Sequence, residues 1–289
     1  MAFNLNGIMF MEIPPKEITI ENIRAFMTDE ATKRINFASS HANALKRTGE
    51  KEVGKIILPF GDSIIPILKV ATGYALYSSK YDDKFYRIIK DEDEDEFIKI
   101  ENFVSLYKNV VFLRDNLDLS VSLSMNYNDS GRTEIGELEY QAKFCNNKPA
   151  EEELMRKCNE WIHELPFYKH ADFICAMPSS NPDEEDLPKR IVNSLIDYSF
   201  TDISKKVFWR SKTRSIKNAK TVEEKLEILE ESNLTIAGDL DIKGKTIILF
   251  DDLYMSGVSM QYVAMKLKEA GASRVLGLSI VKSRSNTAR

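Results

Sequence analysis

Residues Ile247 to Met260 read IILFDDLYMSGVSM. Four apolar residues run into two adjacent acids, and after three residues come Ser256, Gly257 and Ser259, opening into a helical pattern. A continuous apolar run of this length fits a strand buried on both faces of a parallel sheet, and open α/β sheets bind ligands at the carboxyl ends of such strands. Asp251 and Asp252 are therefore expected at the mouth of a cleft. Met255, Ser256, Gly257, Val258 and Ser259 would follow as a short loop with hydroxyls, a glycine and the free N–H groups of a helix start, a combination suited to a phosphate dianion.

Downstream, Met260, Val263, Ala264 and Leu267 share one helical face, Gly271 supplies a stop, and Val275 to Val281 resumes an apolar strand. The unit reads as strand, anion loop, helix, strand. Two carboxylates beside a phosphate cradle are explained chemically if they bond the vicinal hydroxyls of a ribose whose 5-phosphate fills the loop.

The stretch resembles the phosphoribosyl pyrophosphate (PRPP) motif of type I phosphoribosyltransferases, in which an apolar strand meets two acids, three residues and a Ser/Thr-Gly-x-Ser/Thr loop. Tyr254 stands where that family has a small aliphatic residue, and Met255 where it has Thr, Ala or Asp. Methionine neither gives nor takes a proton, so the hypoxanthine/guanine specificity of purine-salvage members does not fit. A wider stretch, residues 119 to 283, is similar to the ComF-like subgroup. Arg132 to Leu138 with Gln141-Ala142-Lys143-Phe144 matches its Gly, apolar and Ala-Lys-aromatic segment, and Met177-Pro178-Ser179-Ser180 its strand-end proline loop. In place of that group's arginine-containing loop stands the acidic run Asp183-Glu184-Glu185-Asp186.

The resemblance implies a phosphoribosyltransferase, that is, a glycosyltransferase of nucleotide metabolism. PRPP or a related ribose 5-phosphate would bind with Mg²⁺ carried by its diphosphate, and pyrophosphate would be displaced at the anomeric carbon. Asp251 and Asp252 would hold the ribose hydroxyls and Met255 to Ser259 the 5-phosphate. Pyrophosphate contacts fall to Ser179 and Ser180 and to a basic loop. That loop lies in Lys205 to Lys220, KKVFWRSKTRSIKNAK, which carries seven basic residues and no acid in a chain of net charge −5. Val207 to Trp209 reads as a strand and Thr221-x-x-Glu224 as the cap of a helix over Val222 to Glu231. Between them Lys212, Arg214 and Lys217 are the candidates for the diphosphate. Two other readings stay open: a non-catalytic PRPP- or nucleotide-sensing module of a regulatory, DNA-uptake or phage-defence system, and a nucleic-acid surface made by Lys205 to Lys220 with Phe208 and Trp209.

Composition frames these expectations. The chain has 289 residues, 43% hydrophobic and 29% charged, which is ordinary globular usage. Cys145, Cys158 and Cys175 are odd in number and lack C-x-x-C spacing, so neither a disulfide framework nor a zinc site is expected. No signal peptide or membrane span is read, and a cytoplasmic protein is expected. His163 and His170 flank Pro166, which breaks the helix a paired-histidine metal site needs, and Gly244-Lys245-Thr246 lacks the upstream glycine spacing of a P-loop.

The fold class expected is α/β. Residues 116–289 would form a phosphoribosyltransferase-like parallel sheet flanked by helices, and residues 1–115 an additional α+β region of unknown role. In that first region Ile20 to Leu45 reads helical, and Gly54 to Tyr77 as short strands and turns. Phe85 to Ile89 and Phe97 to Ile100 read as a hairpin whose tip is the acidic run Asp91 to Glu96. Oligomeric state, whether a homo-oligomer or a complex with an operon partner, is not written in the pattern.

Overall fold

The computed structural model describes residues 13–49, 52–90, 92–181, 185–195, 200–211, 214, 216 and 219–284. In chain order the first elements are α1 (Ile20–Thr28), β1 (Arg34–Asn36), β2 (Leu45–Arg47), β3 (Glu52–Leu58), α2 (Ile64–Thr72), β4 (Tyr77–Ser78), β5 (Phe85–Lys90), α3 (Glu94–Leu106) and β6 (Val111–Leu113). There follow β7 (Leu119–Met125), β8 (Tyr127–Asn128), β9 (Gly131–Arg132), α4 (Glu134–Phe144), α5 (Lys148–Glu164), β10 (Phe173–Ala176), α6 (Leu187–Leu195) and β11 (Thr201–Asp202). The last are β12 (Val207–Trp209), α7 (Val222–Glu231), β13 (Leu234–Ile236), β14 (Thr246–Tyr254), α8 (Val258–Glu269) and β15 (Arg274–Lys282). The chain is mixed α/β and separates into two compact units. Residues 1–14 and 32–114 form the first unit, and residues 15–31 and 115–289 the second. The division after Arg114 is thus accompanied by a return of the α1 segment to the second unit.

In the first unit β2, β3, β5 and β4 make an antiparallel sheet in that order, and β1 pairs antiparallel with β6. Three local expectations are corrected here. The helix beginning at Ile20 stops at Thr28, and Arg34 to Asn36 extends because the buried Asn36 amide donates to the carbonyls of Asn109 (3.0 Å) and Val110 (3.1 Å), tying it to the chain before β6. Between Gly54 and Tyr77 lies a full helix, α2. Its Pro66 occupies the first turn, where no intrahelical N–H bond is lost.

The acidic run does not tip a hairpin. Glu94, Asp95 and Glu96 occupy the first turn of α3, where carboxylates complement the helix dipole, and Phe97, Ile100 and Phe103 bury one helical face. Glu96 also pairs with Arg87 of β5, with one contact at 2.8 Å. Asp91 lies outside the described residues.

The second unit is built on five parallel strands in the order β7, β15, β14, β10, β11. Ile247 to Phe250 are completely buried, as are Val275, Leu276 and Leu278, because neighbours cover both sheet faces. Each such side chain contributes about 1.5–3 kcal/mol relative to an exposed position. In α8 Met260, Val263, Ala264 and Leu267 are buried as their spacing requires, and Gly271 ends the helix at φ +105°. The N-caps of α4, α5 and α7 are Thr133, Asn147 and Thr221, whose side chains accept from the N–H groups of Gly136, Ala150 and Glu224. Among the described residues no helix is long and apolar enough to cross a membrane.

The α1 segment is held to this unit by Asp118. That carboxylate is buried and accepts from the Lys16 N–H (2.6 Å), the Val275 N–H (2.6 Å) and the Lys268 ammonium (2.8 Å). On the exposed side of α1, Arg24 makes a two-pronged pair with Glu223 of α7.

Candidate functional site

The strand that carries the two acids is longer than the apolar run alone indicates. β14 continues through Asp251, Asp252 and Leu253 to Tyr254, with Tyr254 aligned on Lys282 of β15. Chain reversal is therefore left to Met255, Ser256 and Gly257, with α8 starting at Val258. A turn this short needs a left-handed residue, and Gly257 supplies it at φ +79°. A Cβ there would also lie 2.0 Å from the Tyr254 hydroxyl oxygen. The tyrosine that departs from the family pattern thus packs beneath the loop, and its hydroxyl donates to Asp115 Oδ2 at 3.0 Å. Burial pushes both the Tyr254 phenol and the Asp115 carboxyl upward.

A second support comes from the end of β15. Lys282 is 1% exposed, and its ammonium donates to the carbonyls of Met255 (3.0 Å) and Ser283 (2.8 Å). The loop is thereby fixed through the Met255 carbonyl. Among the described residues no chain acceptor engages the N–H groups of Met255, Ser256, Gly257, Val258 or Ser259. Consecutive free amides at a helix start form a concave anion site.

These residues line one cleft of about 540 Å³ at the carboxyl ends of β10 and β14. The structure brings together there Asp251, Asp252, Met255, Ser256, Gly257, Val258, Ser259, Ser179 and Ser180. Asp186, Lys143 and Lys225 complete its charged lining among the described residues. Asp252 is 8% exposed and pairs with Lys143 of α4 at 2.5 Å, while Glu139 lies one turn back, 3.8 Å from the same ammonium. Burial works against the Lys143 charge, but Asp252, joined by Glu139 and Asp251, raises the lysine above its ordinary value. Asp251 accepts from the Asp252 N–H at 2.9 Å, and burial together with the adjacent carboxylate raises it well above the usual carboxylate range.

Glu139 gives this cluster a pH signature. Burial pushes it from 4.5 up to about 7, with Lys143 opposing and Asp252 reinforcing the shift. The folded state then binds more protons than the unfolded state between those values, so the contribution is present below pH 4.5 and is lost as pH rises through about 7. Glu139→Gln has no such proton. Its stability relative to the native chain is expected to rise by about 3 kcal/mol between pH 4.5 and pH 7, measured by urea denaturation at each pH. Parallel pH profiles for the two proteins would refute this assignment.

The pyrophosphate candidates separate. The Ser179 hydroxyl donates to the Asn181 carbonyl (2.5 Å) and accepts from Lys189 (3.2 Å), while Ser180 stands exposed at the rim. Arg214 is not in the cleft lining; it faces Glu231 at 3.3 Å and Glu224 at 3.9 Å, because α7 offers acids closer than the cleft does. Lys212 and Lys217 lie outside the described residues, as do Asp183 and Glu184 of the acidic run. Trp209, a stacking candidate for nucleic acid, is buried: its indole N–H donates to the Pro178 carbonyl at 2.8 Å and its ring stacks on Tyr262. Among the described residues no three metal-ligating side chains converge.

No protein-family model matches the chain, and no curated protein does either. The site therefore has to be read from its own chemistry. Reading the sequence residue by residue gave Lys225 and Lys282 no role. Lys225 leaves a legible trace, since it falls one turn before Ile228 and Leu229 on the inward face of α7. Lys282 leaves none, because its partner loop is reached only through the register of β14 and β15.

Proposed function

We propose that the second unit is a phosphoribosyltransferase-like domain that binds PRPP or a related ribose 5-phosphate with Mg²⁺ and displaces pyrophosphate at the anomeric carbon. The observation that carries this reading is the row of unengaged amides around Gly257, held in one cleft with Asp251 and Asp252. A 5-phosphate on those amides directs the pentose ring back along the end of β14, toward the two carboxylates. Asp251, which holds its proton to higher pH than a free carboxyl, can donate to a ribose hydroxyl, whereas Asp252 in its Lys143 pair accepts from one. The positive charge that develops at the anomeric carbon as the diphosphate leaves is favoured by the Asp252 carboxylate. Magnesium, when bound, neutralises the diphosphate and eases its departure. Its ligands would come mainly from the diphosphate oxygens, with Asp251, Asp252 and Asp186 the only carboxylates of the described cleft lining.

A second reading, a sensor that binds the same ligand without transfer, is favoured by Met255. This residue lines the cleft where a proton-handling side chain would assist an acceptor base. The two readings share a binding site and differ in turnover.

Calorimetry with PRPP and Mg²⁺ tests the reading on the native chain and on Asp251→Asn/Asp252→Asn. The native chain is expected to bind, and the double variant to lose about 100-fold or more in affinity, since two buried polar contacts to the sugar are altered together. Equal affinity in the two proteins rejects the site. A pyrophosphate assay across nitrogen bases and amines then distinguishes a transferase from a sensor.

A further inference from the structure

Lys225 is the one cation of the described cleft lining that the protein leaves uncommitted. Lys143 is already paired with Asp252 at 2.5 Å. Lys225 is 6% exposed, lines the same cleft, and among the described residues has neither an ion pair nor a side-chain hydrogen bond. Its position does not favour the charge: the fourth residue of a helix lies near the positive end of the dipole. The acids of the same first turn do not relieve it. Glu223 is bound by Arg24, and Glu224 accepts from the Lys220 N–H.

From this geometry we infer that Lys225 is the receptor for a second anionic group of the ligand, separate from the one seated on the Met255 to Ser259 amides. The cleft therefore selects a doubly charged sugar ester, one carrying an anionic group at each end, over a sugar monophosphate. The inference rests on the phosphoribosyl reading of the site and deepens it. The loop amides hold the group common to ribose 5-phosphate and PRPP, whereas Lys225 reads the diphosphate that only PRPP has. Lys225 is thus a specificity-determining residue, and it contributes to affinity in proportion to the charge at the ligand's far end.

The test is calorimetric titration of the full chain and of Lys225→Met with PRPP and with ribose 5-phosphate, both in Mg²⁺. Lys225→Met is expected to weaken PRPP by about 10- to 100-fold, the loss associated with one charge-assisted hydrogen bond, and to leave ribose 5-phosphate within about twofold. Lys225→Arg, which keeps the charge, should recover much of the PRPP affinity. Because no pair is broken, Lys225→Met should melt at the native temperature or above it. PRPP bound equally by the native chain and Lys225→Met overturns the inference while leaving the site reading intact, and so does an equal loss for both sugars. A lower melting temperature for Lys225→Met would reveal a structural role instead. A native chain that binds neither sugar overturns the inference and the reading together.

Discussion

Gly257→Ala is expected to abolish ligand binding at the loop and to destabilise the second unit by about 2–5 kcal/mol. Two costs add. A side chain at φ +79° is strained by about 1–3 kcal/mol, and the new methyl group would be driven into the Tyr254 ring, 2.0 Å from its oxygen and 2.4 Å from Cζ. The ring has no easy escape, because its hydroxyl is bonded to the buried Asp115. Relief has to come from the loop, which re-aims the amides that form the anion cradle. Denaturation and PRPP calorimetry on the same preparation measure both parts. Native affinity in Gly257→Ala would mean that the backbone of this turn holds nothing.

Asp118→Ala is the change expected to cost most in stability. The substitution leaves the Lys268 ammonium without its carboxylate and the N–H groups of Lys16 and Val275 without an acceptor. Breaking a buried ion pair by removing one partner costs about 3–5 kcal/mol, and each orphaned amide adds to that. Against a typical total of about 5–15 kcal/mol, little of the second unit would stay folded at elevated temperature. Urea unfolding followed through tryptophan fluorescence gives the number, since Trp161 and Trp209 both lie in this unit. A loss below about 1 kcal/mol would mean that water takes the place of the carboxylate.

The two predictions draw on features of unequal visibility in the sequence. The strand, loop, helix and strand from Thr246 to Lys282 were legible because a strand covered on both faces reads as an unbroken apolar run and because α8 keeps its apolar residues at helical spacing. The loop's need for glycine could be read as well, though not the reason that Tyr254 makes it stricter. α3 was misread because Phe97-Ile98-Lys99-Ile100 is too short an apolar segment to separate a strand from a helix, whereas Phe97, Ile100 and Phe103 together follow the helical period. α2 was missed for a related reason: a proline counts against a helix until it is known to sit in the first turn. The electrostatic half of the site was the least legible. Lys143 entered only through a family likeness, and its pairing with Asp252 joins residues more than a hundred positions apart. Lys225 falls on the inward face of α7 by its spacing, but only its place in the cleft and its lack of a partner among the described residues set it apart.

The order of the five parallel strands also bears on how the protein is made. β15 is the last of them to leave the ribosome, yet it lies between β7 and β14. Until residues 274–282 emerge, β7 and β14 have no neighbour on that side, and Met255 lacks the ammonium that anchors its carbonyl. Such non-local pairing makes for slow assembly and leaves apolar strand edges open during synthesis. The nascent chain should accordingly be protease-sensitive and chaperone-dependent across most of this unit, gaining resistance in a single step when β15 inserts between β7 and β14.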